Sequence, residues 1–185
     1  MNFEGVFEGR AYFPASVVSV NAYNFTRSFY QARIPREGIY IFGGVTNEGI
    51  NEHLSVLTKR TNKYYYQQIS TSGRGPCGRY QHTMNYCDTL NILIIYGGRN
   101  ETMIKSGKNT PMLRDMYILT IDIMTWTEIE IDGELPSKTL HSADIVNDKL
   151  LIFGGVNENS KDNDVGLIVK FEKHKKYLRS VLTED

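Results

Sequence analysis

The chain has 185 residues, 41% of them apolar and 23% charged, and its 21 Lys and Arg balance 21 Asp and Glu. That length suits one folding unit and that composition a packed core, which excludes wholesale disorder, collagen-like repeats and coiled coil. A pI near 6.9 lacks the basic excess with which nucleic-acid binders neutralise phosphates, so DNA and RNA are not expected partners.

The longest apolar run, Ile92-Leu93-Ile94-Ile95-Tyr96, is far short of the ~20 residues a membrane-spanning helix needs, so no membrane contact is expected. Residues 1–6 show no cationic segment leading into an apolar stretch, so no secretory signal is read there and a cytoplasmic location is expected. The two cysteines, Cys77 and Cys87, form no Cys-x-x-Cys pair, and no His cluster has metal spacing. Neither a disulfide framework nor a metal site is expected, and no cofactor is read. Asn24-Phe25-Thr26 and Asn100-Glu101-Thr102 match the glycosylation acceptor pattern by chance on this reading.

Along the chain, residues 1–24 hold one strand-like piece, Ala15-Ser16-Val17-Val18-Ser19-Val20. After it an apolar run closing in two glycines occurs three times: Ile39-Tyr40-Ile41-Phe42-Gly43-Gly44, Leu93-Ile94-Ile95-Tyr96-Gly97-Gly98 and Leu150-Leu151-Ile152-Phe153-Gly154-Gly155. The first glycines are 54 and then 57 residues apart, near the ~50-residue period of a four-stranded propeller blade. Between 16 and 18 residues before each pair stands a second recurrent element: Arg27-Ser28-Phe29-Tyr30, Arg79-Tyr80-Gln81-His82 and Lys138-Thr139-Leu140-His141.

The middle unit is the clearest, with strands expected from about 79, over 91–96, over 115–122 and over 125–131 around Trp126. The unbroken apolar character of the glycine-ended strands means that both of their faces are covered, as in sheets stacked face to face. A glycine pair closing such a strand allows positive φ and close backbone approach. At the end of the chain Phe171, His174, Leu178 and Val181 also fit helical spacing, whereas the repeat makes this stretch an outer strand.

On these residues the chain resembles kelch repeats, whose blades show a strand ending in Gly-Gly, a later Tyr and Trp, and an Arg-x-x-His opening. The middle unit matches in Gly97, Gly98, Tyr117, Trp126, Arg79 and His82; the first has Tyr30 in place of His and no Trp, and the third has Lys138 for Arg. The resemblance covers residues 25–180. It implies an all-β, kelch-type β-propeller of about three four-stranded blades, at 25–70, 71–131 and 132–185, a partial propeller or half of a larger ring. Residues 1–24 are left as an N-terminal segment, a cover or a strand of an incomplete blade. Gly43, Gly44, Gly97, Gly98, Gly154, Gly155, His82, His141, Tyr117 and Trp126 are then framework residues.

Gly73-Arg74-Gly75-Pro76-Cys77-Gly78 matches the dinucleotide-binding Gly-x-Gly-x-x-Gly, but a blade strand rather than a helix is expected next, so it reads as an inter-blade turn. His82 and His141 stand at equivalent repeat positions with no partnered constellation, which argues against catalysis and metal binding. Lys170, Lys173, Lys175, Lys176 and Arg179 read as an edge-strand charge run.

The resemblance places partner contacts in the loops after the second strands and between blades. The candidates are Arg79, Arg99, Asn100, Glu101, Lys105, Asn157 and Asn159, and arginines there suit a carboxylate-bearing protein or peptide. The expected function is a protein-interaction module without catalysis. The alternatives are a regulatory propeller portion of a larger enzyme, such as a kelch-linked serine/threonine phosphatase, and a propeller enzyme of copper-oxidase or lyase type. Three blades also leave two apolar sheet faces open, so further blades are expected from a longer chain or from a second chain.

Overall fold

The computed structural model describes residues 2–4, 9–19, 37–107, 109–132, 134–158, 166–171 and 178–182. These form, in order, β1 (Asn2–Glu4), β2 (Ala15–Val18), β3 (Gly38–Phe42), β4 (Val45–Thr46), β5 (Gly49–Ile50), β6 (Leu54–Arg60), β7 (Lys63–Gln68), β8 (Thr83–Cys87) and β9 (Ile92–Tyr96). A single helical turn, α1 (Thr102–Lys105), precedes β10 (Met116–Thr120), β11 (Thr125–Glu128), β12 (Ile131–Asp132), β13 (Ser142–Val146), β14 (Lys149–Phe153), β15 (Leu167–Lys170) and β16 (Leu178–Leu182).

Three sheets result, with strand orders β1-β7-β6-β3-β2, β11-β10-β9-β8 and β12-β16-β15-β14-β13, and a small β4–β5 hairpin stands apart. Each contains an antiparallel four-stranded meander, to which β1 in the first and β12 in the third add a parallel fifth strand at the outer edge. The middle sheet matches the four expected strands. The alternation of the third is closed by Asn147 and Asp148, both left-handed (φ 50° and 57°), as a two-residue type I′ hairpin requires. Of the C-terminal stretch, Leu178–Leu182 is the strand β16, and His174 lies outside the described residues.

The first sheet differs from expectation in where it begins. Its inner strand is β2, paired with β3 from Ala15 opposite Ile41 to Val18 opposite Gly38, so residues 15–18 belong to this sheet and not to a separate, incomplete blade. The expected opening Arg27-Ser28-Phe29-Tyr30 lies outside the described residues. A further pattern repeats three times. The segment that leads into each sheet first runs parallel along the outer strand of that same sheet: β1 along β7, Ser72 beside Thr125, and β12 along β16. Phe3, Ser72 and Ile131 each stand 11 residues before the residue opposite the aromatic that precedes the glycine pair, namely Pro14, Thr83 and Ser142. This covers the outer edges, which would otherwise offer unpaired backbone for aggregation.

Two apolar cores lie between the sheets. Val18, Tyr40, Phe42, Leu54 and Val56 of the first sheet pack against Leu93, Ile95, Leu119 and Trp126 of the second. Ile92, Ile94, Tyr96 and Met116 on the opposite face of the second pack against Leu150, Ile152, Leu167 and Val169 of the third. Strand β9 is therefore buried along its whole length, feeding alternate side chains into the two cores, which is why its sequence is continuously apolar.

Between the cores runs a rung of hydrogen bonds, formed once at each joint. Gly44 N–H donates to the Arg79 carbonyl and Gly98 N–H to the Lys138 carbonyl, each at 2.8 Å. Gln81 N–H donates to Tyr12 and Leu140 N–H to Gln81, three residues that share a left-handed φ between 55° and 59°. Within each sheet a basic side chain ties the strand end back to the first glycine of the pair. Arg10 Nη1 reaches Gly43 O at 3.4 Å, Arg79 Nη1 reaches Gly97 O at 3.0 Å, and Lys138 Nζ reaches Gly154 O at 2.8 Å. Arg10-Ala11-Tyr12-Phe13 thus occupies, in the first sheet, the place of Arg79-Tyr80-Gln81-His82 and Lys138-Thr139-Leu140-His141, with Phe13 standing for the histidine.

Candidate functional site: the loop face

His82 and His141 sit at the joints. The His82 ring meets Phe42 edge-on at 5.8 Å and the His141 ring meets Tyr96 at 5.1 Å, and both imidazoles are buried. His141 Nε2 is 3.0 Å from Thr83 Oγ1. The residue equivalent to Thr83 in the first sheet is Pro14, which has no hydroxyl, and among the described residues neither ring nitrogen of His82 has a partner. Burial, with the nearby Arg79 charge, holds His82 well below the ordinary imidazole range, and burial with the Lys138 charge lowers His141 to about 4. Both are therefore neutral at pH 7.

Gly73 and Gly75 lie against Trp126, where a Cβ would come within 2.4 Å of its carbonyl oxygen and 3.0 Å of its indole ring respectively. The strand β8 follows, so this glycine-rich segment is an inter-blade turn with no helix to face a phosphate. Cys77 and Cys87 are free thiols. Among the described residues no three His, Cys, Asp or Glu gather as metal ligands, and no helix is long and apolar enough to cross a membrane.

Two of the residues read as partner contacts are interior. Arg79 is fully buried: its guanidinium grips Asp115 through two bonds of 2.6 and 3.0 Å, binds Gly97 O, and lies over the Tyr117 ring at 5.6 Å. Asn100 is also buried. Its amide donates to Gly78 O at 2.6 Å while its oxygen accepts from Thr102 N–H and Oγ1, so it locks the inter-blade turn to the long loop, and its amide is not available to a glycan. Asn157 is half-buried and engaged in contacts. Asn159 and Asn24 lie outside the described residues.

Arg99, Glu101 and Lys105 remain on the surface, in the loop carrying α1. Arg99 Nε donates to Glu101 Oε1 at 2.7 Å and Tyr80 OH donates to the same oxygen at 2.6 Å. The Arg99 guanidinium lies 5.8 Å over the Tyr80 ring, and the backbones of Tyr80 and Arg99 pair. Burial and the bond to Glu101 push the Tyr80 phenol up to about 12. Although partial burial acts to raise it, the Glu101 carboxyl is held below its usual range by Tyr80 and Arg99. Tyr12 stands 6.2 Å from the Tyr80 ring and is exposed, as are Leu140 and Ile104. Tyr12, Tyr80 and Leu140 were not among the sequence candidates. The signal that places them is their position one or two residues after the basic residue of each repeat, a register hidden in the first unit by Arg27.

The loop face thus joins an ordered arginine, a lysine and several exposed apolar groups on a rigid frame of stacked sheets. The architecture and the rung define a kelch-type propeller segment. The model of the KLHDC2/KLHL20/DRC7 Kelch-repeats domain matches residues 31–176, and the chain belongs to the kelch-repeat family. It is similar to Host cell factor homolog hcf-1 of Caenorhabditis elegans (26% identical over 134 residues, 63% of this chain and 16% of that protein). Similar too are Host cell factor 2 of Homo sapiens (27%, 63% and 16%) and Host cell factor 1 of Mus musculus (29%, 74% and 6%). The chain spans at most 16% of these relatives.

Among solved structures, it superposes over 98% of its length on 47% of the chain in "Structure of YjhT", with TM-score 0.62 and 14% identity. It superposes over its full length on 56% of a chain in a cryo-EM structure of RAG in complex with one melted and one unmelted RSS, with TM-score 0.70 and 14% identity. Both likenesses bear on the fold.

Proposed function

We propose that this kelch segment is a protein-interaction module that takes a carboxylate-bearing peptide or protein segment on its loop face. The observation that carries the reading is Arg99. Its Nε is fixed by Glu101 and its plane by Tyr80, while Nη1 and Nη2 engage no acceptor among the described residues. A guanidinium held in one orientation binds a carboxylate with little further loss of side-chain freedom. Lys105 adds charge, and the exposed Tyr12, Ile104 and Leu140 supply apolar anchors of the kind that dominate interface energetics.

Selection from a phage-displayed peptide library tests this. The wild-type chain is expected to enrich Asp- or Glu-bearing peptides, and Arg99→Ala is expected to bind the selected peptides at least tenfold more weakly while melting at nearly the same temperature. Unchanged affinity in Arg99→Ala would remove the loop face as the contact.

A further inference from the structure

Strands β3, β9 and β14 reach the loop face at their glycine pairs, so the other ends of the sheets form a second, opposite face. At that far end the outer hairpins differ in length. Leu54 stands opposite Phe42 and Met116 opposite Tyr96, each the aromatic before a glycine pair, which aligns the start of β6 with that of β10. From this common start β6 runs for seven residues and β7 for six, against five in β10 and four in β11. The hairpin of the first sheet therefore projects two residues per strand farther, about 7 Å, and the extra residues are Lys59, Arg60, Lys63 and Tyr64 around the turn Thr61-Asn62.

This projection adds nothing to a core, since residues 59–63 are all exposed. It gathers three cations within five residues of a chain whose charges balance. Arg60 stands directly opposite Lys63, a like-charged cross-strand pair of the kind that costs stability. Lys59 Nζ lies 5.8 Å over the Tyr64 ring and the Arg60 guanidinium 5.7 Å over the Tyr65 ring, contacts that order the two cations without neutralising them. Among the described residues no carboxylate pairs with Lys59 or Arg60. Lys63 has a further contact, and β1 brings Asn2 into register with it, leaving Glu4 at Tyr65.

We propose that this basic hairpin is a second protein-binding surface, at the opposite end of the sheets from the loop face, and that it docks a short acidic segment of a partner protein. A two-residue turn is convex and cannot enclose a small anion, so the ligand belongs to a larger molecule. The far end of the neighbouring sheet carries the exposed Asp88 and Asp122. A continuous phosphate surface, whether a nucleic-acid backbone or an anionic bilayer, meets repulsion there, whereas a run of a few Asp or Glu side chains meets the hairpin cations alone. Lys59 and Arg60, already ordered on their rings, lose little freedom on taking carboxylates, and the Arg60 guanidinium can bind one through two bonds. The inference is independent of Arg99 and of the loop-face reading.

Fluorescence anisotropy with a labelled octaglutamate peptide decides it, measured on the Arg99→Ala chain so that the loop face does not contribute. That chain is expected to bind the peptide with an affinity that falls as salt rises. Adding Lys59→Gln and Arg60→Gln is expected to weaken binding about tenfold at an unchanged melting temperature. Arg60→Glu is expected to weaken it at least as much and to melt no lower, because it turns the like-charged pair with Lys63 into an opposite one. Duplex DNA and phosphatidylserine vesicles serve as the competing probes. Peptide affinity indifferent to Lys59 and Arg60, tighter binding of DNA or vesicles than of the peptide through these residues, or an Arg60→Glu chain that melts lower would overturn the proposal.

Discussion

The carbonyl oxygen of Lys138 accepts the Gly98 N–H at 2.8 Å from the neighbouring sheet, and the same oxygen would lie 2.5 Å from a Cβ on Gly97. One glycine is therefore needed for its donor's close approach and the other for the space it leaves, at a joint that also buries His141 against Tyr96. The Gly-Gly signature of the repeat is a requirement of sheet-to-sheet contact, and only secondarily of the turn.

From this contact, Gly43→Ala and Gly97→Ala are expected to lower stability by about 3 kcal/mol each, the left-handed strain being joined by a backbone clash across the joint. Among the described residues Gly154→Ala meets no neighbour and carries only the strain of its φ of 62°, about 1 kcal/mol. Urea unfolding of the three variants measures the difference, and equal losses would refute it.

His82 and His141 are predicted to respond differently to substitution. Replacement by Ala costs about 1 to 3 kcal/mol at either place through lost packing. His82→Phe is expected to be nearly neutral, because the ring makes no nitrogen contact among the described residues and Phe13 already fills that role in the first sheet. His141→Phe loses the Thr83 bond and costs about 1 kcal/mol. Thermal melts separate the two, and equal sensitivity to Phe would contradict the asymmetry set by Pro14 and Thr83.

Acid should unfold this chain earlier than its carboxylates alone require. The folded imidazole of His141 protonates near pH 4, whereas in the unfolded chain it protonates near pH 6.5. Between those values the unfolded state binds more protons, so stability is full above about pH 6.5 and falls as pH drops to about 4, by about 3 kcal/mol for this residue. His82 is shifted in the same direction and adds to the loss. The variant with both histidines replaced by Phe is expected to lose this slope, and an unchanged pH profile of its denaturation midpoint would refute the assignment.

Much of this was legible in the sequence because it repeats. The glycine pairs locate the second strand of every sheet, and the unbroken Ile92–Tyr96 run announces a strand covered on both faces. The opening of the first sheet was hidden for two physical reasons. Its ring is a phenylalanine, which serves the same packing, and its basic residue stands 33 positions before the glycine it binds, against 18 and 16 in the other sheets, leaving Arg27 to mimic the usual spacing. Arg79 was misread as a contact because burial of its charge depends on Asp115, 36 positions away, a pairing that local pattern does not reveal.

Arginines 79 and 99 should accordingly part company on substitution. Arg79→Ala strands Asp115 and empties a fully buried volume, an expected loss of about 3 to 5 kcal/mol. Arg99→Ala removes a partly exposed pair with Glu101, worth at most about 1 kcal/mol. Denaturation midpoints that ranked the two in the opposite order would reverse their assignment to frame and surface.

Amide hydrogen exchange of the chain tests the central claim most directly, since the claim is one rung formed at the two joints and left unmade, among the described residues, at Gly155. The Gly44 and Gly98 amides are predicted to exchange only through global unfolding, and the Gly155 amide to exchange orders of magnitude faster. Fast exchange at Gly44 or Gly98, or protection of Gly155 equal to theirs, would contradict the account.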